Sequence, residues 1–199
     1  AMLGASLMVF LGILNEEQAL SHIDFNTLGL LAGMMMIVAV TGRTGLFDYV
    51  AVWAAQKAKA RPLHILVYLA LITAVFSAFL DNVTTVLLIV PVTFEITRKL
   101  HINPIPFLLV EIIASNIGGT ATLIGDPPNI MIGSAVKELT FISFIDNLAF
   151  ISLLNLVLVL CILAWLYRRD MHTKPELQAQ IMGLQPAKAI KDGSLLLKS

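Results

Sequence analysis

Residues 115–129 read SNIGGTATLIGDPPN, and this stretch decides how the chain folds. It lies inside an apolar segment, 105–136, that is long enough to cross a bilayer, since about 20 residues suffice. The glycine pair allows a helix to end, whereas the proline pair has no backbone N–H to continue a helix that arrives from before it. The sequence therefore predicts a transmembrane helix that is broken at 117–129 and restarts behind the prolines.

The break gathers polar groups at a depth where the bilayer offers no hydrogen-bond partners. Interrupted backbone is tolerated there only if protein covers it or if it lines a wet cavity. The carbonyl end of the first half-helix can hold a cation, and the amide end of the second can hold an anion. We therefore predict an ion or substrate site; a kinked structural helix with capping polar groups is the alternative. The predicted site residues are Asn116, Gly118, Gly119, Thr120, Thr122, Gly125, Asp126, Pro127 and Asn129.

A second interruption is expected at Asp81, near the middle of another long apolar stretch. Arms of about 14 to 16 residues rise only about 21 to 24 Å, which is less than the roughly 30 Å hydrocarbon core. The sequence therefore predicts a re-entrant hairpin over 65–97 with its tip at 81–85; two short spans with an external turn are the alternative. Asp81 can also act as a helix N-cap. The tip would add to the site Asp81, Asn82, Thr84 and Thr85.

Glu111 is a further carboxylate in the apolar part of the chain. Isolated in hydrocarbon, a carboxylate takes up a proton, finds a partner or serves a proton path. We favour the proton path slightly over a structural hydrogen bond. His22, His64, His101 and His172 lie outside the spans or at their edges. The sequence therefore indicates no cofactor and no metal site other than one for a sodium ion.

The composition places the whole chain in a membrane. Of 199 residues, 58% are hydrophobic and 13% are charged, and the mean hydropathy is +0.87; in a soluble domain about a quarter are charged. Thirteen basic residues balance thirteen acidic ones, so the chain has no excess of positive charge for binding the phosphates of a nucleic acid. The one cysteine, Cys161, lies in an apolar run and excludes a disulfide framework. We expect an all-α polytopic membrane protein.

The remaining segments follow from apolar length and from the positive-inside rule. Residues 25–41 and 139–167 are predicted transmembrane helices, and 1–14 is too short and is interpreted as a truncated one. Residues 46–60 have the spacing of an interfacial amphipathic helix, with an ordinary connecting helix as the alternative. All but one of the basic residues then fall on the cytoplasmic side. The polar segment 168–199 is predicted to be a cytoplasmic linker of low structural content toward a missing second half.

The two interrupted segments together resemble the signatures of a known superfamily. Segments 77–88, SAFLDNVTTVLL, and 115–129 are similar to those of the ion transporter superfamily. The closest branch holds the melanosomal P protein, arsenite-permease-like bacterial proteins and NhaD-type sodium/proton antiporters, and the similarity covers residues 25–167. It implies one inverted-repeat half that pairs with a C-terminal repeat, in a homodimer whose transport domain moves as an elevator against a scaffold. We expect a bacterial or archaeal inner membrane as its location.

The chain departs from the related sodium-coupled dicarboxylate carriers at two positions. Asp81 replaces the serine of their hairpin tip, and Asp126 replaces the serine before their two prolines. Each carboxylate would repel a dianion unless a proton or sodium ion neutralises it. We therefore expect a secondary active transporter coupled to sodium or protons. The alternatives are a dicarboxylate or citrate carrier, an arsenite-type efflux permease and an ion channel. A membrane-embedded enzyme would need a nucleophile–base pair or a metal cluster, and the sequence indicates neither.

Overall fold

A computed structural model describes residues 2–13, 15, 17, 23, 25–136, 138–169 and 171–190. Some expectations from the sequence fall outside these residues. They concern His22, the two ends of the segment 1–14, and the last part of the linker, 191–199.

The described part of the chain is helical and contains no β-strand. The elements are α1 (Met2–Phe10), α2 (Phe25–Arg43), α3 (Leu46–Lys57), α4 (Pro62–Phe79), α5 (Asn82–Leu100), α6 (Ile105–Thr120), α7 (Pro127–Ala135), α8 (Phe141–Tyr167), α9 (Pro175–Met182) and a 3₁₀ helix (Pro186–Ala189). Of these, α2, α4 and α8 are long and apolar enough to cross a membrane. The predicted all-α membrane architecture is therefore confirmed.

Local chemistry sets several of the helix ends. Pro62 opens α4, a position that suits proline because the first helical residue needs no N–H donor. Behind Thr140, α8 begins where the threonine hydroxyl accepts a hydrogen bond from the Ser143 N–H at 3.1 Å. His101 ends α5 in the left-handed conformation, with φ at 52°. These signals set the start of α4, the start of α8 and the end of α5.

The core lies around α4, which packs along its length against α6. In turn, α6 contacts α5 and α8, while α3 packs on α4 and α5. Ile65, Leu69, Ile96, Phe107 and Val110 fill the space between these helices and are at most 1% exposed. Helices α2 and α8 bury little of their surface, which is expected in a bilayer because lipid covers apolar side chains as well as protein does.

The hairpin arms are longer than the sequence analysis assumed. Helix α4 has 18 residues and α5 has 19, so each rises about 27 to 28 Å, close to the thickness of the hydrocarbon core. Arm length therefore no longer separates a re-entrant hairpin from two short spans. The tip is also shorter than 81–85. Only Leu80 and Asp81 interrupt the helices, because Asp81 caps α5 and the next residues form its first turn.

The helix break is likewise shorter than predicted. Helix α6 continues through the glycine pair to Thr120, and α7 begins at Pro127, so the non-helical residues are 121–126. Gly118 and Gly119 do not end the helix; they lie inside it, and both are buried against neighbouring backbone. These glycines allow neighbouring segments of backbone to approach α6 closely, and they do not form a turn.

The segment behind α8 is more structured than a linker of low structural content. The Thr173 hydroxyl donates to the Leu100 carbonyl oxygen at 2.9 Å, and the Gln56 side-chain amide donates to the Leu184 carbonyl oxygen at 2.5 Å. Ile181 is fully buried. The described residues 171–190 belong to the folded domain because they cover the adjoining ends of α3 and α5.

Helix α3 ends at Lys57, a turn before the predicted limit of 46–60. Its buried face consists of Phe47, Ala51, Ala54 and Ala55, and it packs against α4 and α5. The Phe47 ring meets the Phe76 ring of α4 edge-on, with 5.0 Å between centroids. Burial in protein favours the connecting-helix interpretation.

Candidate functional site

The hairpin tip and the helix break lie against each other. The Ser77 hydroxyl donates to the Ser115 carbonyl oxygen at 2.7 Å, which joins the end of α4 to α6. The Thr122 hydroxyl donates to the Ala78 carbonyl oxygen, which joins the break to the tip. Two interruptions that are distant in the sequence thus form one polar site, called the tip–break site below.

Three glycines make this approach possible. A Cβ atom on Gly118 would overlap the Ala74 backbone of α4. A Cβ on Gly119 would lie 2.7 Å from the Gly125 carbonyl oxygen, and one on Gly125 would lie 2.6 Å from the Gly119 carbonyl oxygen. The predicted involvement of these glycines therefore has a steric cause, since any larger residue would push the break away from α6.

The break is held closed by two polar side chains. The Thr122 hydroxyl, besides its bond to α4, accepts a hydrogen bond from the Gly125 N–H at 3.1 Å. The Asn129 side-chain amide donates to the carbonyl oxygens of Gly119, at 3.3 Å, and Thr122, at 2.9 Å. Asn129 thereby satisfies carbonyl groups that the end of α6 leaves without a helical partner.

The two aspartates of the site play different local roles. The Asp81 carboxylate accepts a hydrogen bond from the Thr84 N–H at 3.0 Å and is the N-cap of α5. Asp126 precedes α7 in an extended conformation, and its side chain makes no capping bond. The two carboxylates are within electrostatic reach of each other, and in the described part of the chain neither has a salt bridge.

The start of α7 offers no free backbone donors, in contrast to the expectation that it could hold an anion. Its first two residues are Pro127 and Pro128, which lack an N–H. The N–H groups of Asn129 and Ile130 both donate to the Asp126 carbonyl oxygen, at 3.0 and 3.3 Å. The site around the break is therefore rich in acceptors, and its two carboxylates favour a cation.

The other predicted residues lie around this centre. The Asn82 side-chain amide donates to the Asn116 side-chain oxygen at 3.0 Å, and the Thr120 hydroxyl donates to the Asn116 carbonyl oxygen at 2.7 Å. Asn116 and Thr120 are exposed and lie one turn apart, so they form a polar face on α6. Thr85 is buried, and its hydroxyl has no hydrogen-bond partner among the described residues.

Glu111 is not part of the tip–break site. It is 1% exposed, and its Oε1 accepts a hydrogen bond from the Thr93 hydroxyl of α5 at 2.6 Å. Sequence reasoning did not identify Thr93, nor the roles of Ser77 and Ser115. Ser77 had a signal, since it lies one helical turn before Asp81, but its partner could be known only from the packing of α4 on α6.

Helix α8 lies beside the α4–α6 contact that carries the site. Ala149 and Ser152 of α8 line the same cavity as Ala74, Ala78 and Gly118. Eight residues of α8 precede Ala149, so about 12 Å of α8 lies between its first residue and this cavity.

A family model of the citrate transporters, CitMHS, matches residues 1–199. The chain belongs to the citrate transporter family. Among the relatives, an uncharacterized transporter of Mycobacterium tuberculosis strain H37Rv is 45% identical over 198 residues, which are 98% of this chain and 46% of the relative. The 46 kDa membrane protein of Mycobacterium leprae is 46% identical over 202 residues, which are 100% of this chain and 47% of the relative.

The human P protein is 48% identical over 139 residues, 67% of this chain and 17% of that protein. These matches confirm the resemblance to the ion transporter superfamily. The family and the tuberculosis relative are named as transporters rather than as enzymes. The chain spans about half the length of the mycobacterial relatives it matches.

Proposed function

We propose that this chain is the first of two inverted repeats of a secondary active transporter, and that its coupling ion, sodium or a proton, binds at the tip–break site. The carrying observation is that the hairpin tip with Asp81 lies against the helix break with Asp126, although 45 positions separate the two aspartates in the sequence. The contact between tip and break through Ser77 and Thr122 supports a preformed site.

The chemistry of the site favours a cation as its first ligand. Two neighbouring carboxylates without a basic partner repel each other, and a bound cation or proton relieves this repulsion. A citrate-like anion would meet the same two charges. It could bind only after they are neutralised, which gives a physical reason for ion coupling whether the cargo is a cation or an anion.

A re-entrant hairpin is the topology that this proposal requires. Its support is the cavity that Ala149 lines together with Ala78 and Gly118, since about 12 Å of α8 lies between Ala149 and the outer end of that helix. An external turn at Asp81 would place the tip nearer to that end. The α9 segment and the basic residues around it then lie in the cytoplasm of a bacterial or archaeal cell.

The second repeat has a natural place in this arrangement. The polar face of Asn116 and Thr120 is exposed in this chain, and polar side chains at membrane depth require protein or water beside them. We propose that a C-terminal repeat covers this face and supplies the remaining ligands of the ion. The homodimer and the elevator movement belong to the same proposal and rest on the family resemblance.

Ion flux by the full-length transporter in liposomes tests the proposal. We expect sodium or proton gradients to drive transport in the wild type, and Asp81→Asn or Asp126→Asn to reduce the initial rate at least tenfold, because each amide removes a coupling charge while keeping the shape. Citrate, sodium and arsenite are compared as cargo under the same gradients. The matched control is Glu95→Gln, an exposed carboxylate in the last turns of α5 that pairs with Lys99, and this variant should transport normally.

Two outcomes would contradict the proposal. Transport whose rate does not depend on the sodium gradient or the proton gradient would indicate a channel or a passive carrier. Normal gradient dependence in both the Asp81 and the Asp126 variants would mean that these carboxylates have structural roles only, with coupling carried by the second repeat.

A further inference from the structure

Glu111 lies between α5 and α6, apart from the tip–break site. Its carboxyl group is 1% exposed and Thr93 is fully buried. The Thr93 hydroxyl donates to Oε1 at 2.6 Å, while Oε2 has no hydrogen-bond partner within the described residues. A buried carboxyl oxygen without a partner is rare in folded proteins and requires an explanation.

No charged side chain compensates this carboxyl group. Glu111 is the only charge on α6, and α4 has none between His64 and its end. On α5 the charged residues Glu95, Arg98 and Lys99 are confined to the last two turns, and Lys99 is already paired with Glu95 at 2.7 Å. On α8 no charge occurs between Asp146, near its outer end, and the end of the helix.

Three occupants could neutralise the group, and the surroundings select one. The basic side chains of the helices that pack on α6 lie at the ends of α4 and α5 away from the hairpin tip, and among the described residues none of them forms a salt bridge with Glu111. A hard metal cation takes about six oxygen ligands, whereas only the Glu111 carboxylate and the Thr93 hydroxyl meet here. A proton requires one oxygen atom, and Oε2 is available for it.

We propose that Glu111 is a second proton-binding site of the transporter, in which the carboxyl group holds a proton at Oε2 while Thr93 donates to Oε1. The site couples the proton to the packing of the hairpin, because the Thr93–Glu111 bond crosses from α5 to α6. Loss of the proton would leave a bare charge in an apolar interface, which favours separation of the two helices. The site goes beyond the proposed function, since its proton is bound outside the tip–break site.

Infrared spectroscopy of the purified full-length transporter at neutral pH tests the proposal without any transport measurement. The wild-type minus Glu111→Gln difference spectrum should contain one carbonyl-stretch band of a protonated carboxyl group. Thr93→Val should move this band to higher frequency, because the hydroxyl no longer donates to the carbonyl oxygen. The control Glu95→Gln removes an exposed carboxylate of α5 and should leave the band unchanged.

The pH dependence of thermal unfolding gives a second measurement on the same proteins. A proton that the folded state holds and the unfolded chain releases lowers stability as the pH rises. The wild-type melting temperature should therefore fall toward alkaline pH, and Glu111→Gln should remove part of that slope. A carboxylate band in place of the protonated one in the first difference spectrum would overturn the proposal, as would equal pH slopes in the two proteins.

Discussion

The side-chain amide of Asn129 connects the helix break to the end of α6. The side-chain amide donates to the carbonyl oxygens of Gly119 and Thr122. The backbone N–H of Asn129 donates to the Asp126 carbonyl oxygen. One residue therefore fixes the backbone before and after Asp126. In hydrocarbon such carbonyl groups have no water to replace a lost donor, so the geometry of the site depends on this amide.

We expect Asn129→Asp to destabilise the protein more than Asn129→Ala. Alanine leaves two carbonyl oxygens unpaired, a loss of about 1–3 kcal/mol per group. Aspartate adds repulsion, because a carboxylate oxygen then faces the carbonyl oxygens of Gly119 and Thr122. The melting temperature of the full-length protein measures both effects. Asn147→Asp is the control, since its exposed amide makes one bond, to the Ser143 carbonyl oxygen. Equal stability of the two Asn129 variants would argue against the repulsion.

The contact between α4 and α6 is built from small residues. Ala74 and Ser77 of α4 face Ser115 and Gly118 of α6, and all four residues are buried. Small side chains allow two helix backbones to approach closely, and close approach is the main source of helix association within a bilayer. The Ser77–Ser115 hydrogen bond forms only at this short separation.

Gly118→Ala tests this contact. The added methyl group would overlap the Ala74 backbone, and backbone cannot rotate away as a side chain can, so we expect a loss of about 1–3 kcal/mol or more. Transport should fall as well, because the tip and the break separate. Gly33→Ala on α2 is the matched control, since a Cβ there meets nothing within 4 Å. Unchanged melting temperature in Gly118→Ala would show that the helices are less closely packed than described.

At the scale of the whole molecule, α8 is the longest helix of the described residues. It has 27 residues and rises about 40 Å, against about 27 Å for α4. The described tail behind α8 reaches the end of α5 through the Thr173–Leu100 hydrogen bond. The ends of α5 and α8 thus lie near each other, on the side of the domain opposite the hairpin tip.

Cysteine labelling of the full-length protein distinguishes a buried tip from an external turn. All variants carry Cys161→Ala, because Cys161 is exposed. An impermeant thiol reagent applied outside should modify Glu138→Cys, in the connection between α7 and α8, at least tenfold faster than Val83→Cys at the tip. Modification of Val83→Cys should also change with sodium or pH. Rapid labelling of Val83→Cys that does not change with sodium or pH would favour two full membrane spans joined by an external turn.

The sequence by itself determined the features that depend on local chemistry. Apolar length and charge placement identify the spans without any tertiary contact, because the bilayer is the partner of each helix. The proline pair before Asn129 requires an interruption in any fold, since its missing N–H groups are a covalent property. The extra carboxylates at Asp81 and Asp126 are likewise visible in the sequence, and with them the expectation of a cation.

Tertiary structure decided what depends on residues far apart in the chain. Gly118 and Gly119 lie inside α6 and do not end it. Their function is to let the backbones of Ala74 and Gly125 approach α6 closely. The hairpin tip meets the helix break through the Ser77–Ser115 and Thr122–Ala78 hydrogen bonds, which join residues 38 and 44 positions apart. Glu111 meets Thr93 only through the packing of α5 on α6. Such contacts cannot be predicted from sequence periodicity, since each residue alone could pack against many different partners.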